Sequence, residues 1–359
     1  VNLLLILNGV AQVASTSATN VEEVDAWGSL LISTLTAILA TMVLFEPVAR
    51  RLAVIFPPFR GKRTQESDDI EPNSLAAANP STPLFPQMLD YYTTDSLTVS
   101  APVASVETET ANASLYAPYQ PRGFNPALLL HRVAVVFVCY LLGVQFANFI
   151  LGGGLEGIAE TYEEGLSGWS LLLNGLPFLV VSFLGVGLGI KRNFAQALQR
   201  LGLGLPTGQG LLVSIGVTIG LFVFVAIVAT VWEAAVPEDV FEEQSEASEA
   251  LSDSISTVWL ALLLAATAAV GEEIAFRGAL QPVLGLWPTA VIFSLTHMQY
   301  TLTPAWLIIF GVALAFGWIR LRYNTTVAIM AHFLYNFIPL AFVVSAPDDT
   351  AMIILHGLL

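Results

Sequence analysis

Eight runs of predominantly apolar residues recur along the chain, near 27–48, 129–151, 169–190, 210–232, 255–273, 288–302, 303–320 and 325–345. A helix needs about 20 such residues to cross a hydrocarbon core of roughly 30 Å, and a spanning helix leaves no backbone polar group unpaired in lipid. The expectation is an all-α fold, a polytopic integral membrane helical bundle of about eight transmembrane helices. Composition agrees with it. Of 359 residues, 55% are hydrophobic and only 11% charged, whereas a soluble domain carries about 25% charged residues. The run near 288–302 is the shortest, and polar residues flank its His297. A re-entrant segment is the alternative reading there.

The basic residues test this map. Arg50, Arg51, Arg60, Lys62 and Arg63 follow the first run, Arg122 and Arg132 precede or open the second, and Lys191, Arg192 and Arg200 lie between the third and fourth. Arg277 follows the fifth, and Arg320 and Arg322 separate the seventh from the eighth. With eight crossings all 13 Lys and Arg residues fall on one side, which the positive-inside rule makes cytoplasmic. That favours a full crossing at 288–302. The other face is acidic, with Glu156, Glu160, Glu163 and Glu164 in one loop and Glu233 to Asp253 in another. Solvated loops explain this better than a docking surface for a basic partner. The net charge of −15 and the lack of a basic stripe exclude a nucleic-acid partner. A single cysteine, Cys139, excludes an internal disulfide framework and a cysteine zinc cluster.

Residues 64–121 contain no Lys or Arg, many Ser, Thr and Ala, and seven prolines. Such a stretch buries too little apolar surface to offset the ordering of its backbone. The expected organisation is a segment 1–63 with the first transmembrane helix, a disordered cytoplasmic linker over 64–126, and a membrane domain over 127–359 whose core spans about 169–345. The first residues are apolar without a basic flank, so a cleaved signal peptide is the less favoured reading. Phe194, Leu198 and Leu201 follow i, i+4, i+7 spacing and predict a helix lying on the cytoplasmic interface.

Ionisable groups inside spans are expensive in lipid and usually mark function. Those left after the loops are removed are Glu272, Glu273, Arg277, His297 and His332, joined by Asn336. On a helix Glu273 and Arg277 are i, i+4 neighbours able to pair, while Glu272 is turned by about 100° and can face another helix. Phe293 stands four residues before His297 and can pack beneath its ring. His332 and Asn336 share one face, a turn apart. Singly, each pattern has a bland explanation: a helix-end anchor for the two glutamates, polar glue between helices for the histidines and the asparagine. Together they can converge on one point. Glu272, aided by His297, can take a proton from water. His332 and Asn336 can donate hydrogen bonds to an oxyanion forming on a peptide carbonyl. The same Glu272, His297 and His332 can alternatively form a His₂Glu zinc site with an open position for water, although no HExxH helix is present.

The order EExxxR, FxxxH, HxxxN, carried by Glu272-Glu273…Arg277, Phe293…His297 and His332…Asn336, resembles the CPBP family of intramembrane proteases. That family comprises CAAX proteases and bacteriocin-processing enzymes, also called Abi proteins, and includes the type II CAAX prenyl endopeptidase. The resemblance covers roughly 169–345. It implies an endopeptidase in which Glu272 and His297 activate water, His332 and Asn336 stabilise the oxyanion, and Glu273, Arg277 and Phe293 support them. It implies either a glutamate mechanism or a metalloprotease with zinc. The implied partners are the lipid bilayer and a protein or peptide substrate anchored in it, and the implied location is the plasma (inner) membrane. Two other function classes compete with it: a non-catalytic membrane scaffold or immunity protein of the same fold, and a proton-coupled transporter. The intact motifs favour catalysis over the first, and the lack of paired repeats with broken helices disfavours the second.

Overall fold

The computed structural model describes residues 23–53, 123–151, 165–237, 250–300 and 305–345, together with Gly154, Leu155, Gly157 and Tyr162. Residues 64–122 of the expected linker and the acidic residues Glu238–Glu249 lie outside the described residues, while the linker's last residues belong to the helical body, with Phe124 buried. Among those described the chain is helical throughout. Helix α1 (Glu23–Val43) is followed by α2 (Glu46–Leu52), α3 (Leu129–Leu151), α4 (Gly168–Gly185), α5 (Phe194–Leu201) and α6 (Gly208–Ala235). Helix α7 (Val258–Glu272) runs on through a π-helical stretch (Glu273–Leu280) and a last α-turn (Gln281–Leu284), so that one continuous span covers Val258–Leu284. Helices α8 (Leu286–Leu295), α9 (Trp306–Arg322) and α10 (Thr325–Ser345) complete the bundle.

Local chemistry sets where these helices begin. Ser167, Thr207 and Thr257 each accept a backbone N–H from three residues on, at 3.1, 3.0 and 3.2 Å, and so cap α4, α6 and α7. Asn193 and Gln196 form a reciprocal capping box at the start of α5, and Gly202 ends that helix in the left-handed region at φ 72°.

The faces of α6 show which solvent the bundle is built for. Ser214, Thr218, Leu221 and Val225 are buried, whereas Leu212, Ile219, Val223, Ile227 and Val231 are exposed. The polar Ser214 and Thr218 point inward and most of the large aliphatic residues outward, the reverse of a water-soluble helix. Ser214 Oγ donates to the Val327 carbonyl at 3.0 Å and Thr218 Oγ1 to that of Ala331 at 3.2 Å, which joins α6 to α10 in parallel. Close approach elsewhere depends on glycine: a Cβ on Gly311 of α9 would lie 2.5 Å from the Phe224 ring. The protein is an integral membrane protein with an all-helical core.

Among the described residues fewer than eight helices qualify as full crossings by length and composition. Five helices are long and apolar enough to span, Leu129–Ile150, Gly168–Gly185, Gly208–Ala235, Val258–Leu284 and Thr325–Ser345, with a sixth if α1 and α2 count as one span. Those two helices meet at a bend of 98°, where Pro47 near the start of α2 lacks the N–H that would continue α1. The run near 288–302 folds as the ten-residue α8 and a 3₁₀ turn, Met298–Tyr300. At 1.5 Å per residue α8 is about 15 Å long, half a hydrocarbon core. Helix α9 has 17 residues, about 25 Å. Apolar runs in sequence show what lipid tolerates but not where the chain turns.

Two basic residues also leave the loop tally. Arg277 and Arg320 are 1% and 4% exposed, buried among helices rather than in a solvated loop. The span bearing Glu272 continues for twelve residues beyond it to Leu284, so this carboxylate is not at the end of its helix.

Candidate active site

The π-helical stretch Glu273–Leu280 is enclosed on nearly every side, with Glu273, Ile274, Ala275, Phe276, Arg277, Gly278 and Leu280 all buried. A π segment inserts an extra residue into an α-helix and is frequent at functional sites. Glu273 and Arg277 lie at its core. Glu273 Oε1 is 2.9 Å from Arg277 Nη1 and also 2.9 Å from His332 Nδ1. With the carboxylate ionised, His332 donates its Nδ1 proton, leaving Nε2 as the ring's free end. The three side chains are between 0 and 6% exposed, so each charge relies on its partners rather than on water.

Further contacts hold this relay in place. Arg277 Nη2 donates to the Ala313 carbonyl at 3.2 Å, and Arg320 Nε donates to the Arg277 carbonyl at 3.2 Å. Gln281, one turn beyond Arg277, donates to the Gly317 carbonyl at 2.9 Å. All three bonds tie α7 to α9. The Arg277 guanidinium carbon sits 4.2 Å from the Phe293 ring centroid and 5.6 Å from that of Phe316, a cation–π setting suited to a buried arginine. Phe316 stacks on His332 with centroids 4.9 Å apart.

Phe293 is the shared wall. Its ring lies 4.6 Å from that of His297 and 6.4 Å from that of His332. His297 stands just past the end of α8, whose C-cap is Thr296, rather than on the helix itself. Its Nδ1 lies 2.9 Å from the Phe293 carbonyl oxygen. Gln145 of α3 reaches the same segment, donating to the Thr296 carbonyl at 3.1 Å.

Glu272 lies beside the relay. Its side chain is half-buried, and Oε2 is enclosed without a hydrogen-bond partner. Asn336 is half-buried one turn after His332 on α10, which packs along α7. Of the residues expected from sequence, the structure therefore links Glu273, Arg277, Phe293, His297 and His332 by direct contacts. It places Glu272 and Asn336 on the two helices that carry the relay. Among the described residues no group of three His, Cys, Asp or Glu side chains is spaced to hold a metal ion. With His332 Nδ1 bonded to Glu273, only Nε2 of that ring is left to face a metal or a substrate, since a ligating imidazole commonly gives its other N–H to a carboxylate.

Sequence reasoning passes over Phe316, Gln281, Gln145 and the structural part of Arg320. Gln145 and Gln281 are neutral amides in apolar surroundings, a signal that a search limited to ionisable groups does not register.

Residues 254–338 match the family model described as type II CAAX prenyl endopeptidase Rce1-like. The matched segment contains all three motifs and agrees with the resemblance to CAAX-type membrane proteases drawn from them. No curated protein and no solved structure matches the chain.

Proposed function

We propose that this protein is an intramembrane endopeptidase that hydrolyses a peptide bond at or near the cytoplasmic face of the plasma (inner) membrane. The observation that carries the proposal is the buried Arg277–Glu273–His332 relay beside Glu272, whose Oε2 is enclosed and unpartnered. One carboxylate holds an arginine and a histidine through a single oxygen, Glu273 Oε1, while its Oε2 is enclosed without a partner. The adjacent one is left free to take a proton.

In this reading Glu272, with His297, removes a proton from water as its oxygen attacks the scissile carbonyl carbon. The carbonyl oxygen becomes an oxyanion and receives hydrogen bonds from His332 Nε2–H and the Asn336 amide. Because Nδ1 already donates to Glu273, an Nε2–H donor makes His332 an imidazolium in this step, with the Glu273 carboxylate beside it. Collapse of the intermediate breaks the C–N bond, and the proton held by Glu272 passes to the leaving amine. Arg277 pairs with Glu273 Oε1 at 2.9 Å. Phe293 and Phe316 fix the planes of the two imidazoles.

The cytoplasmic assignment is supported by Arg50, Arg51, Lys191, Arg192 and Arg322. A membrane-anchored protein or peptide is the substrate class that a site among spanning helices favours. The test uses purified protein in proteoliposomes with candidate anchored peptides, chosen by comparing membrane peptides of cells carrying wild type or Glu272→Gln. Cleavage by wild type and none by Glu272→Gln is expected, and retained cleavage by the variant sinks the assignment. Activity that survives exhaustive chelation in a verified metal-free sample separates the glutamate mechanism from the zinc one.

A further inference from the structure

A second concave feature lies outside the catalytic cluster. It is a groove of about 230 Å³ between α3, α4 and α7, and none of the seven motif residues lines it. Its apolar wall is made by Val133 and Phe137 of α3, Val181 of α4, and Ala275 and Ala279 of the π stretch. Lys191, Arg192 and Arg200 also line it, and no carboxylate does. The chain has 28 acidic residues against 13 basic ones, so three cations around one acid-free groove is a marked reversal of the overall balance.

The backbone builds this cluster. Gly187 and Gly189, at φ 90° and 74°, permit a tight turn closed by Arg192 N to Gly187 O at 2.9 Å and Gly189 N to Arg192 O at 3.0 Å. The Arg192 guanidinium donates to the Val186 carbonyl, and that of Arg200 donates to the Gly278 carbonyl at 3.0 Å. Both are thereby fixed at the groove, while Lys191 is exposed at the turn. Ile190 and Phe194 on either side are 75% and 57% exposed. Apolar side chains flanking a basic turn suit the headgroup layer of a membrane.

We infer that this groove seats one anionic phospholipid, its acyl chain along Val133, Phe137, Val181 and Ala275 and its phosphate at Lys191, Arg192 and Arg200. Guanidinium groups match phosphate oxygens through paired N–H donors, and ammonium groups add a mobile point charge. Basic pockets between membrane helices bind acidic headgroups by this chemistry. A zwitterionic lipid offers the same chain without the net charge.

Native mass spectrometry of the full chain tests this. The protein is delipidated in neutral detergent and supplied with phosphatidylglycerol or phosphatidylcholine at equal mole fraction. Wild type is expected to retain one phosphatidylglycerol in preference to phosphatidylcholine by at least about fivefold. Lys191→Gln should lower that retention about fivefold, Lys191→Arg should keep it, and Val181→Trp should block both lipids without changing charge. Val181 already faces outward, so the last two variants carry the test even if Lys191→Gln folds poorly. Equal retention of the two lipids by wild type overturns the proposal. So does unchanged retention by Lys191→Gln and Val181→Trp together. Displacement of the lipid by glycerol phosphate or by an acidic peptide at equal concentration overturns it in favour of a free-anion or a protein site.

Discussion

His332 Nδ1 and Glu273 Oε1 lie 2.9 Å apart although 59 residues separate them in the chain. The same oxygen faces Arg277 at 2.9 Å. This bond divides the labour of the Glu272-Glu273 pair. Glu273 Oε1 is held by the arginine and the imidazole, whereas Glu272 makes neither contact, so in the proposed reaction Glu272 is the proton acceptor.

The two glutamates should therefore fail in different ways. Glu273→Gln removes the carboxylate in direct contact with buried Arg277 and His332, and breaking a buried pair costs about 3–5 kcal/mol. A lowered thermal midpoint in detergent is expected, together with lost cleavage. Glu272→Gln removes a carboxylate whose Oε2 has no partner. Melting within a degree or so of wild type is expected, with cleavage reduced about 10²- to 10⁴-fold. Equal destabilisation by the two substitutions contradicts this division.

Phe316 stacks on His332 at 4.9 Å and is fully buried. Phe316→Leu keeps most of the apolar volume and removes the flat surface that orients the imidazole. The turnover rate should fall about 10- to 100-fold while KM changes little. A fall in KM-linked binding alone would assign Phe316 to substrate contact instead.

Gln145 is a positioning residue for the segment bearing His297. Gln145→Leu removes its 3.1 Å bond to the Thr296 carbonyl, a neutral interaction worth about 1 kcal/mol to stability. The effect on turnover should exceed the effect on melting, because the segment bearing His297 is displaced. Unchanged kinetics with lowered stability would make the bond purely structural.

Gly202 should tolerate no side chain. Its φ is 72°, and a Cβ there would lie 2.4 Å from the Arg320 guanidinium carbon, whose Nε holds the Arg277 carbonyl. Gly202→Ala should cost about 1–3 kcal/mol from backbone strain and displaced packing. Thermal melting measures the cost. A compensating Arg320→Lys in the same background should recover part of it.

The helices and their caps are legible because each depends on nearby residues: Ser167, Thr207 and Thr257 announce α4, α6 and α7, and Asn193 with Gln196 announces α5. The pairing of Glu273 with Arg277 is legible for the same reason. The bend at α1–α2 is not, since hydropathy is blind to chain direction, and the shortness of α8 shows in its apolar run although the tally of basic residues weighs toward a full crossing there. Arg320 reads in sequence as a loop cation beside Arg322. Only the fold shows that one of these neighbours turns inward to the Arg277 carbonyl. The π stretch is equally hidden, because i→i+5 bonding leaves no mark in residue spacing. Gln145 and Gln281 disappear when polarity is averaged over an apolar window.

The ten-residue helix α8 has a consequence for the surrounding lipid. It reaches across about one leaflet, and His297 hangs from its end. Lipid beside such a short helix must thin, or the other half-thickness must be filled by protein or water. Bilayer thickness thereby becomes a control on how readily water meets this histidine. Bilayers of different acyl length should tune the rate even when protein and substrate are the same.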